Sequence, residues 1–335
     1  MPFGPIKNEF VMGSKVLMFD GSVKNIEDVS VGDKVVNSKT VINKIERNYS
    51  GNISRMKMAN SLPISCTNVS LNKGDVLFAP VLTEHVESDI TVGKARLLGL
   101  FAAEGSFGSR NYSVIFSFGK HEYDSLAKST VDLIKKEFRI NAKLNLINEK
   151  SEVAVYNKNV ASFFKKHVGS LALNKKLSRE VVFGEDINKI AFISGWLDGD
   201  GSVDIQSGKI IGTTISSNLS SQVRVMLNSL KINNTLSQRP KTSSSKLTNG
   251  RIIVGKHKPF DVKVPYNESD ILVKASERLG GKFNKSVKFV KINRFVDNYR
   301  THKVLNKEIS NFAGPVFNLE IEDGCSYVVD GVFFK

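Results

Sequence analysis

The sequence predicts an α+β protein in which a duplicated α/β unit interrupts an all-β module. Two observations carry the duplication. An apolar, glycine-containing helix ends in Glu104-Gly105, and a second one ends in Asp200-Gly201, 96 residues later. Each of these helices opens the same series of helix, two strands and helix. A third observation carries the insertion: residues 13–88 and 285–335 hold short β runs and turns with no long amphipathic helix. A chain of 335 residues has room for two or three compact domains.

Taken in order, Asp20-Gly21 between Val16-Leu17-Met18 and Val23 is a hairpin signal. Val31-Gly32-Asp33 before Val35-Val36 continues the β pattern. Residues 92–104 form the first apolar helix, and alternation over 113–118 gives a half-buried strand. Leu126, Val131, Ile134 and Phe138 have helical spacing over 122–138. Strands at 143–147 and 153–156 and a short helix at 160–167 complete the first repeat. The second repeat has its helix at 190–200, strands at 202–205 and 210–216, and a helix capped by Asn218 with Val223, Leu227 and Leu230 on its apolar face. Strands at 232–236 and 260–264 precede a helix at 269–279. Lys241 to Gly250, rich in Ser, Lys, Thr and Asn, reads as a loop or a DNA-tracking insertion. Short strands return at 316–322 and 326–334. The expected domains are therefore 1–88, 89–284 (repeats about 92–188 and 189–284) and 285–335.

Bulk chemistry narrows the function. The net charge is +15 and the pI about 9.6, an excess that favours a polyanionic partner, because each phosphate neutralised by Lys or Arg releases counterions. Two cysteines, Cys66 and Cys325, rule out a disulfide framework and a Cys-rich zinc site. The five histidines, His85, His121, His167, His257 and His302, have no ligand spacing and read as surface or DNA-contacting residues. There is no signal-peptide pattern and no apolar run of membrane-spanning length, so the expectation is an intracellular protein with no membrane partner, nuclear if the source is eukaryotic.

The repeated helix ends carry the chemistry. Leu97-Leu98-Gly99-Leu100-Phe101-Ala102-Ala103-Glu104-Gly105 and Ile193-Ser194-Gly195-Trp196-Leu197-Asp198-Gly199-Asp200-Gly201 each place small residues four apart: Gly99 with Ala103, and Gly195 with Gly199. That spacing puts both on one helix face and allows close backbone approach. If the two helices pack together, Glu104 and Asp200 meet at one end, and two carboxylates there need a cation. Their oxygen ligands suit Mg2+, and a metal near a scissile phosphate suits phosphodiester hydrolysis. A single copy would read as a glycine-capped core helix with its acid in solvent; the repeat is what turns the reading.

These segments resemble the two motifs of LAGLIDADG homing endonucleases, over roughly residues 92–284. The resemblance implies a duplicated αββαββα endonuclease domain, monomeric with internal pseudo-twofold symmetry, that cuts both strands of a long asymmetric site in double-stranded DNA. Glu104 and Asp200 would be the catalytic metal ligands, with Mg2+ as cofactor and Mn2+ tolerated. Glu in place of Asp at 104 lengthens one ligand by a methylene, and Trp196 would face the core of its own half. An active-site lysine would come from Asn174-Lys175-Lys176-Leu177, with Lys175 and Lys176 both in contention. Its second-half counterpart would be Lys282 in Gly280-Gly281-Lys282-Phe283. DNA-reading candidates after each motif are Arg110, Asn111, Gln206, Lys209, Gln238 and Arg239.

The flanking module has its own resemblance. Gly13-Ser14-Lys15-Val16-Leu17-Met18-Phe19-Asp20-Gly21-Ser22, Ile26-Glu27-Asp28-Val29 and Val31-Gly32-Asp33-Lys34-Val35 resemble opening blocks of inteins of the yeast vacuolar-ATPase type. Val316-Phe317-Asn318-Leu319-Glu320-Ile321-Glu322-Asp323 with Ser326-Tyr327-Val328-Val329-Asp330-Gly331 resembles the closing block. This implies an all-β Hint-like splicing domain that the endonuclease interrupts, similar also to mating-type-switching endonucleases. Splicing needs a Cys or Ser nucleophile at the first position, where Glu9 stands. Ser70 occupies the place of the block histidine, and Val332-Phe333-Phe334-Lys335 follows Gly331 where the family has His-Asn, so Lys335 is a third degenerate position. Loss of splicing is expected. The alternative reading is a cleavage-inactive DNA-binding protein or RNA maturase of the same fold, against which the retention of both acids argues.

Overall fold

The computed structural model describes residues 8–67, 69–108, 112–204, 207–240, 245–246, 252–253, 256–265, 268–279 and 294–334. The chain divides into two compact units, one of residues 1–82, 235–237 and 292–335, the other of residues 83–234 and 238–291.

The first unit is built on one antiparallel pair. Strand Val41–Met58 runs beside Tyr299–Ile321, in register from Val304↔Met58 to Ile321↔Val41 with an irregularity near each end. These are far longer than the short strands the sequence predicts. The middle of the ribbon explains the difference: no residue of 42–52 or 305–315 is buried, so no period-two burial marks the strand. The two ends of the ribbon do bury one face, packing Met56, Val304, Phe317 and Leu319 with Phe10, Val16, Ile26, Val35, Ile64 and Tyr327. A smaller sheet carries Val23–Asn25, Lys15–Leu17, Tyr327–Val329 and Val332–Phe334. The Asp20-Gly21 hairpin forms as expected, with Gly21 at φ 76°. A second tight turn follows: Asp330 (φ 49°) and Gly331 (φ 91°) are both left-handed, the type I′ geometry that suits strand twist.

Asp330 is tied into this sheet. Its Oδ1 accepts from the Lys15 amide at 2.9 Å, and its own amide donates to the Lys15 carbonyl at 2.8 Å. Burial pushes its carboxyl up to about 7. The folded state therefore holds this proton more tightly than the unfolded chain, and stability falls as pH rises between about 4 and 7. Asp330→Asn keeps the Oδ1 acceptor without the charge. It should raise the Tm of this unit at pH 8, leave it unchanged at pH 4, and flatten the calorimetric pH profile between them.

The second unit contains both repeats. Helix α1 (Val92–Glu104) starts at Thr91, whose side chain accepts from the Lys94 amide at 3.2 Å. Strands Gly105–Phe107, Ser113–Gly119, Lys150–Tyr156 and Lys143–Ile147 form one antiparallel sheet in that spatial order. Helices α2 (Lys128–Phe138) and α3 (Lys158–His167) accompany it, and Phe101, Phe116 and Phe164 meet with ring centroids 4.8–5.9 Å apart. A one-turn helix, α4 (Arg179–Val182), leads into α5 (Asp186–Asp200). Strands Gly201–Asp204, Lys209–Thr214 and Phe260–Pro265 then pair in antiparallel order, with α6 (Ser217–Ser229) packed against them.

Several local expectations change. Residues 120–127 wind as a 3-10 turn and a π turn before α2 begins. The N-cap of α6 is Ser216, whose hydroxyl accepts from the Leu219 amide at 3.1 Å; Asn218 lies inside the helix. The helix expected over 269–279 is only α7 (Asp270–Lys274), because the residues after it turn to satisfy a buried carboxylate described below. Within Lys241 to Gly250, Ser245–Lys246 pairs with Ile252–Ile253; the rest of that segment lies outside the described residues. Two histidines are core residues and not surface groups. His167 is buried with its ring nitrogen 2.7 Å from the Ser178 hydroxyl, and His302 is buried with Nδ1 3.0 Å from the Ala59 carbonyl. Both cysteines are free; burial pushes the Cys66 thiol up to about 12, which makes it inert. Among the described residues no helix is long and apolar enough to cross a membrane.

Candidate metal and nucleic-acid site

Helices α1 and α5 pack against each other through their glycines. A Cβ on Gly99 would lie 2.1 Å from the Phe192 carbonyl oxygen and 2.8 Å from the Trp196 nitrogen. A Cβ on Gly195 would lie 2.5 Å from the Arg96 carbonyl oxygen and 3.2 Å from the Leu100 nitrogen. The contacts are reciprocal: each glycine, five residues before its acid, meets the residues eight and four before the other acid. Only a residue without a side chain permits this backbone-on-backbone approach. Gly199 completes the seam, where a Cβ would fall 2.4 Å from Ala103 Cβ and 3.3 Å from Glu104 Oε1. The Glu104 carboxylate therefore lies over the last turn of α5, next to Asp200. Trp196 is fully buried, its ring over Gly212 of its own half.

This placement is electrostatically costly. Burial, then the charge of Asp200 and that of Glu122, pushes the Glu104 carboxyl up to about 7. Burial pushes Asp200 up to about 6, against the opposing pull of Lys175. Glu122 is a third carboxylate at the rim. It accepts from the Gly119 amide at 2.8 Å, and its Oε1 lies 3.7 Å from Arg278.

Two cations stand beside the acids. Lys175 is buried, and its ammonium donates to the Ala102 carbonyl at 2.7 Å and the Phe101 carbonyl at 3.4 Å. Burial lowers its pKa, and the Asp200 and Glu104 charges oppose that. Lys176 is exposed, so of the two contending lysines only Lys175 reaches the acids. Lys282 lies outside the described residues, and Arg278 stands where a counterpart of Lys175 is needed. Its guanidinium donates to the Asp198 carbonyl at 2.6 Å, the Gly199 carbonyl at 2.9 Å and the Gly201 carbonyl at 2.7 Å. Ala102 and Asp198 are each two residues before an acid, so Lys175 and Arg278 grip the same turn of the two helices. Both bind carbonyls that a helix C-terminus leaves unpaired.

Arg278 is held there by Asp198, which is fully buried. The Asp198 carboxylate accepts from Arg96 (2.7 Å), the Glu277 amide (3.1 Å), the Arg278 amide (3.0 Å) and the Ser276 hydroxyl. A buried charge survives only with such a set of donors, and collecting them is what ends α7 early. The sequence carried a partial signal for this role. Asp198 and Asp200 are two apart on a helix and so point to different sides, which leaves Asp198 to act away from the paired acids. Nothing in the spacing pointed to Arg278 or Glu122.

The remaining candidates scatter. Lys209 is exposed at the start of its strand, Gln238 is exposed, and Arg239 is exposed but bonded to Asp261 and Thr213. Arg110, Asn111 and Gln206 lie outside the described residues, as does Lys335. In the β unit, Glu9 is paired with Arg47, which lowers its pKa, and also meets the Thr67 hydroxyl at 3.3 Å. Ser70 is exposed.

Residues 188–258, from the second motif helix up to the residues before strand Phe260–Pro265, match the model of the LAGLIDADG-like domain. The chain is similar to an ATP-dependent DNA helicase, Hel308, of Thermococcus kodakarensis, with 29% identity over 246 residues, 70% of this chain and 20% of that protein. The chain thus spans about a fifth of the length of that curated relative. Among solved structures it is similar to the homing endonuclease I-DmoI in complex with its target DNA and manganese (15% identity, TM-score 0.41, 58% of this chain and 97% of that one). A second likeness is to the N-terminal LAGLIDADG domain of DUF199/WhiA (12% identity, TM-score 0.36, 55% of this chain and 81% of that one).

The donor chemistry fits a hard divalent cation. Among the described residues no group of three or more His, Cys, Asp and Glu is placed to hold a metal ion by itself. Mg2+ does not require one, since it is commonly held by one or two carboxylates, with water and substrate phosphate oxygens filling the octahedron. Glu104 and Asp200 supply two such oxygens in a place where their charge lacks full compensation.

Proposed function

We propose that this chain is a site-specific double-strand DNA endonuclease of the homing type, seated in an intein-derived frame that no longer splices. The observation that carries the reading is the meeting of Glu104 and Asp200 at one end of two glycine-packed helices, with Lys175 and Arg278 gripping the turn beneath them. Glu104 and Asp200 would hold Mg2+, or Mn2+ in its place, which supplies Lewis-acid stabilisation of the phosphoryl oxygens when bound. Lys175 and Arg278 keep positive charge beside the reacting phosphates and fix the helix ends that carry the acids. The reciprocal α1–α5 contacts support a monomer with internal pseudo-twofold symmetry, one half facing each strand. The +15 charge supports a DNA partner, which exposed strand residues such as Lys209 would meet. For the β unit, Glu9 offers neither thiol nor hydroxyl and its carboxylate is engaged by Arg47, which supports loss of splicing chemistry.

The test is cleavage of supercoiled plasmids bearing genomic inserts from the source organism and its relatives, with Mg2+. Discrete linear products support the reading. Salt-sensitive binding without cuts from any insert would instead favour a cleavage-inactive DNA-binding protein. Once a target is found, Lys175→Met should slow its cleavage by about 10²-fold with DNA affinity retained, as for loss of one transition-state donor. Lys176→Met should leave the rate unchanged.

A further inference from the structure

The second repeat's sheet has one face covered by helices and, among the described residues, no helix on the other. Gly212 touches the Trp196 ring and Leu197, so Ile210, Gly212 and Thr214 face the helices. Lys209, Ile211 and Thr213 face the other way. Register places Asp261 beside Thr213 and Lys263 beside Ile211, on the same open face. A carboxylate on an open sheet face is ordinarily solvated, yet Asp261 is 3% exposed. Arg239 covers it.

The three side chains close a ring. Arg239 Nε lies 3.0 Å from Asp261 Oδ2 as an ion pair. Its NH2 donates to Thr213 Oγ1 at 3.3 Å, and the Thr213 hydroxyl donates to Asp261 Oδ1 at 2.9 Å. The direction of every bond is forced, because the guanidinium can only donate and the carboxylate only accept; the hydroxyl must do one of each. The Arg239 amide, donating to the Pro259 carbonyl at 2.9 Å, anchors the backbone. The ring consumes the side-on edge of the guanidinium. The end-on edge, with one N–H on each terminal nitrogen, meets no bond from a described residue, and half of the side chain stays exposed at 53%.

We propose that Arg239 reads a guanine in the major groove, with Asp261 and Thr213 as its positioning residues. The inference rests on the proposed DNA-binding function of this unit. Two parallel N–H donors match the O6 and N7 acceptors of guanine; adenine offers one acceptor beside a donor, and neither pyrimidine offers two adjacent acceptors. A phosphate contact would use the charge of an arginine, but here Asp261 neutralises that charge while leaving the donor geometry intact. Lys263, with Nζ 3.9 Å from Asp261 Oδ2, is the remaining charged group on the ring and keeps the cluster net positive. A pre-aligned fork also avoids the ordering cost that a free arginine meets on binding.

The experiment is selection of bound duplexes from a random-sequence library by the full chain in Ca2+. The unsubstituted protein runs beside Arg239→Ala, Arg239→Lys, Asp261→Asn and Lys209→Ala. The unsubstituted protein should enrich a motif with a guanine at one position. Arg239→Ala should lower the preference for that guanine by about 10-fold and leave the other positions intact, as for loss of one bidentate contact. Arg239→Lys should not restore it, since an ammonium lacks the fork. Asp261→Asn should weaken the same position with non-specific affinity retained and melting unchanged. An Arg239→Ala motif unaltered at every position, with a uniform drop in affinity like that of Lys209→Ala, would overturn the assignment in favour of a phosphate contact. If the unsubstituted protein enriches no motif, the DNA-reading function falls, and this inference with it.

Discussion

Asp200→Asn is expected to lower DNA cleavage by about 10³-fold or more, the upper range for removing one group that stabilises developing charge. Binding to the target in Ca2+ should persist, because Asp200 sits among the paired acids and not on the open sheet face. The apo protein provides a second readout. Glu104 and Asp200 both titrate above the ordinary carboxylate range, near about 7 and about 6. The folded state holds those protons more tightly than the unfolded chain does. Without metal, stability therefore falls as pH rises between about 4 and 7, and it is flat above. Divalent metal should restore the loss at pH 8, because cation binding favours the deprotonated pair. In Asp200→Asn the like charge that raises Glu104 is gone. The Glu104 carboxyl should move down toward its ordinary value, the pH-dependent fall in Tm should shrink, and Mg2+ should no longer raise the Tm. A variant that kept metal stabilisation at pH 8 while losing cleavage would place the cation elsewhere than on this pair.

The parts of the molecule that the sequence made legible share one property: periodic burial or a repeat. The motif helices were readable because Gly99 and Gly195 recur at the same distance before an acid, and the hairpin at Asp20-Gly21 because its turn demands those residues. The ribbon of Val41–Met58 and Tyr299–Ile321 was not readable, since exposed residues on both faces erase the alternation that marks a strand. Arg278 was not readable for a different reason: it is set by a backbone turn around the Asp198 carboxylate, a long-range contact with no local pattern. Lys282, the counterpart that the sequence suggests, lies outside the described residues. Lys175 and Lys176 were equivalent on paper; burial against α1 separates them.

Gly99→Ala tests whether the helix seam itself stores the architecture. Its new Cβ would sit 2.1 Å from the Phe192 carbonyl oxygen and 2.8 Å from the Trp196 nitrogen, both backbone atoms that no rotamer change can move. The helices must separate by more than an ångström. The cost should be about 3 kcal/mol, at the upper end for overpacking. That corresponds to a drop of about 10 °C in Tm for a unit of this size. Differential scanning calorimetry should place the loss in the α/β unit, with the β unit's transition unmoved. Gly199→Ala makes the informative contrast. Its Cβ would meet Ala103 Cβ at 2.4 Å and Glu104 Cγ at 2.9 Å, side-chain atoms at the metal end of the seam and not backbone at its middle. It should therefore melt closer to the unsubstituted protein but bind divalent metal more weakly, because Glu104 has been pushed aside. Should Gly199→Ala lose more stability than Gly99→Ala while keeping its metal response, the seam would not be serving the acids at all. With the expected order, the same two helices do separate jobs along their length: the glycines at mid-helix set how closely the halves approach, and the last turn sets where the carboxylates meet.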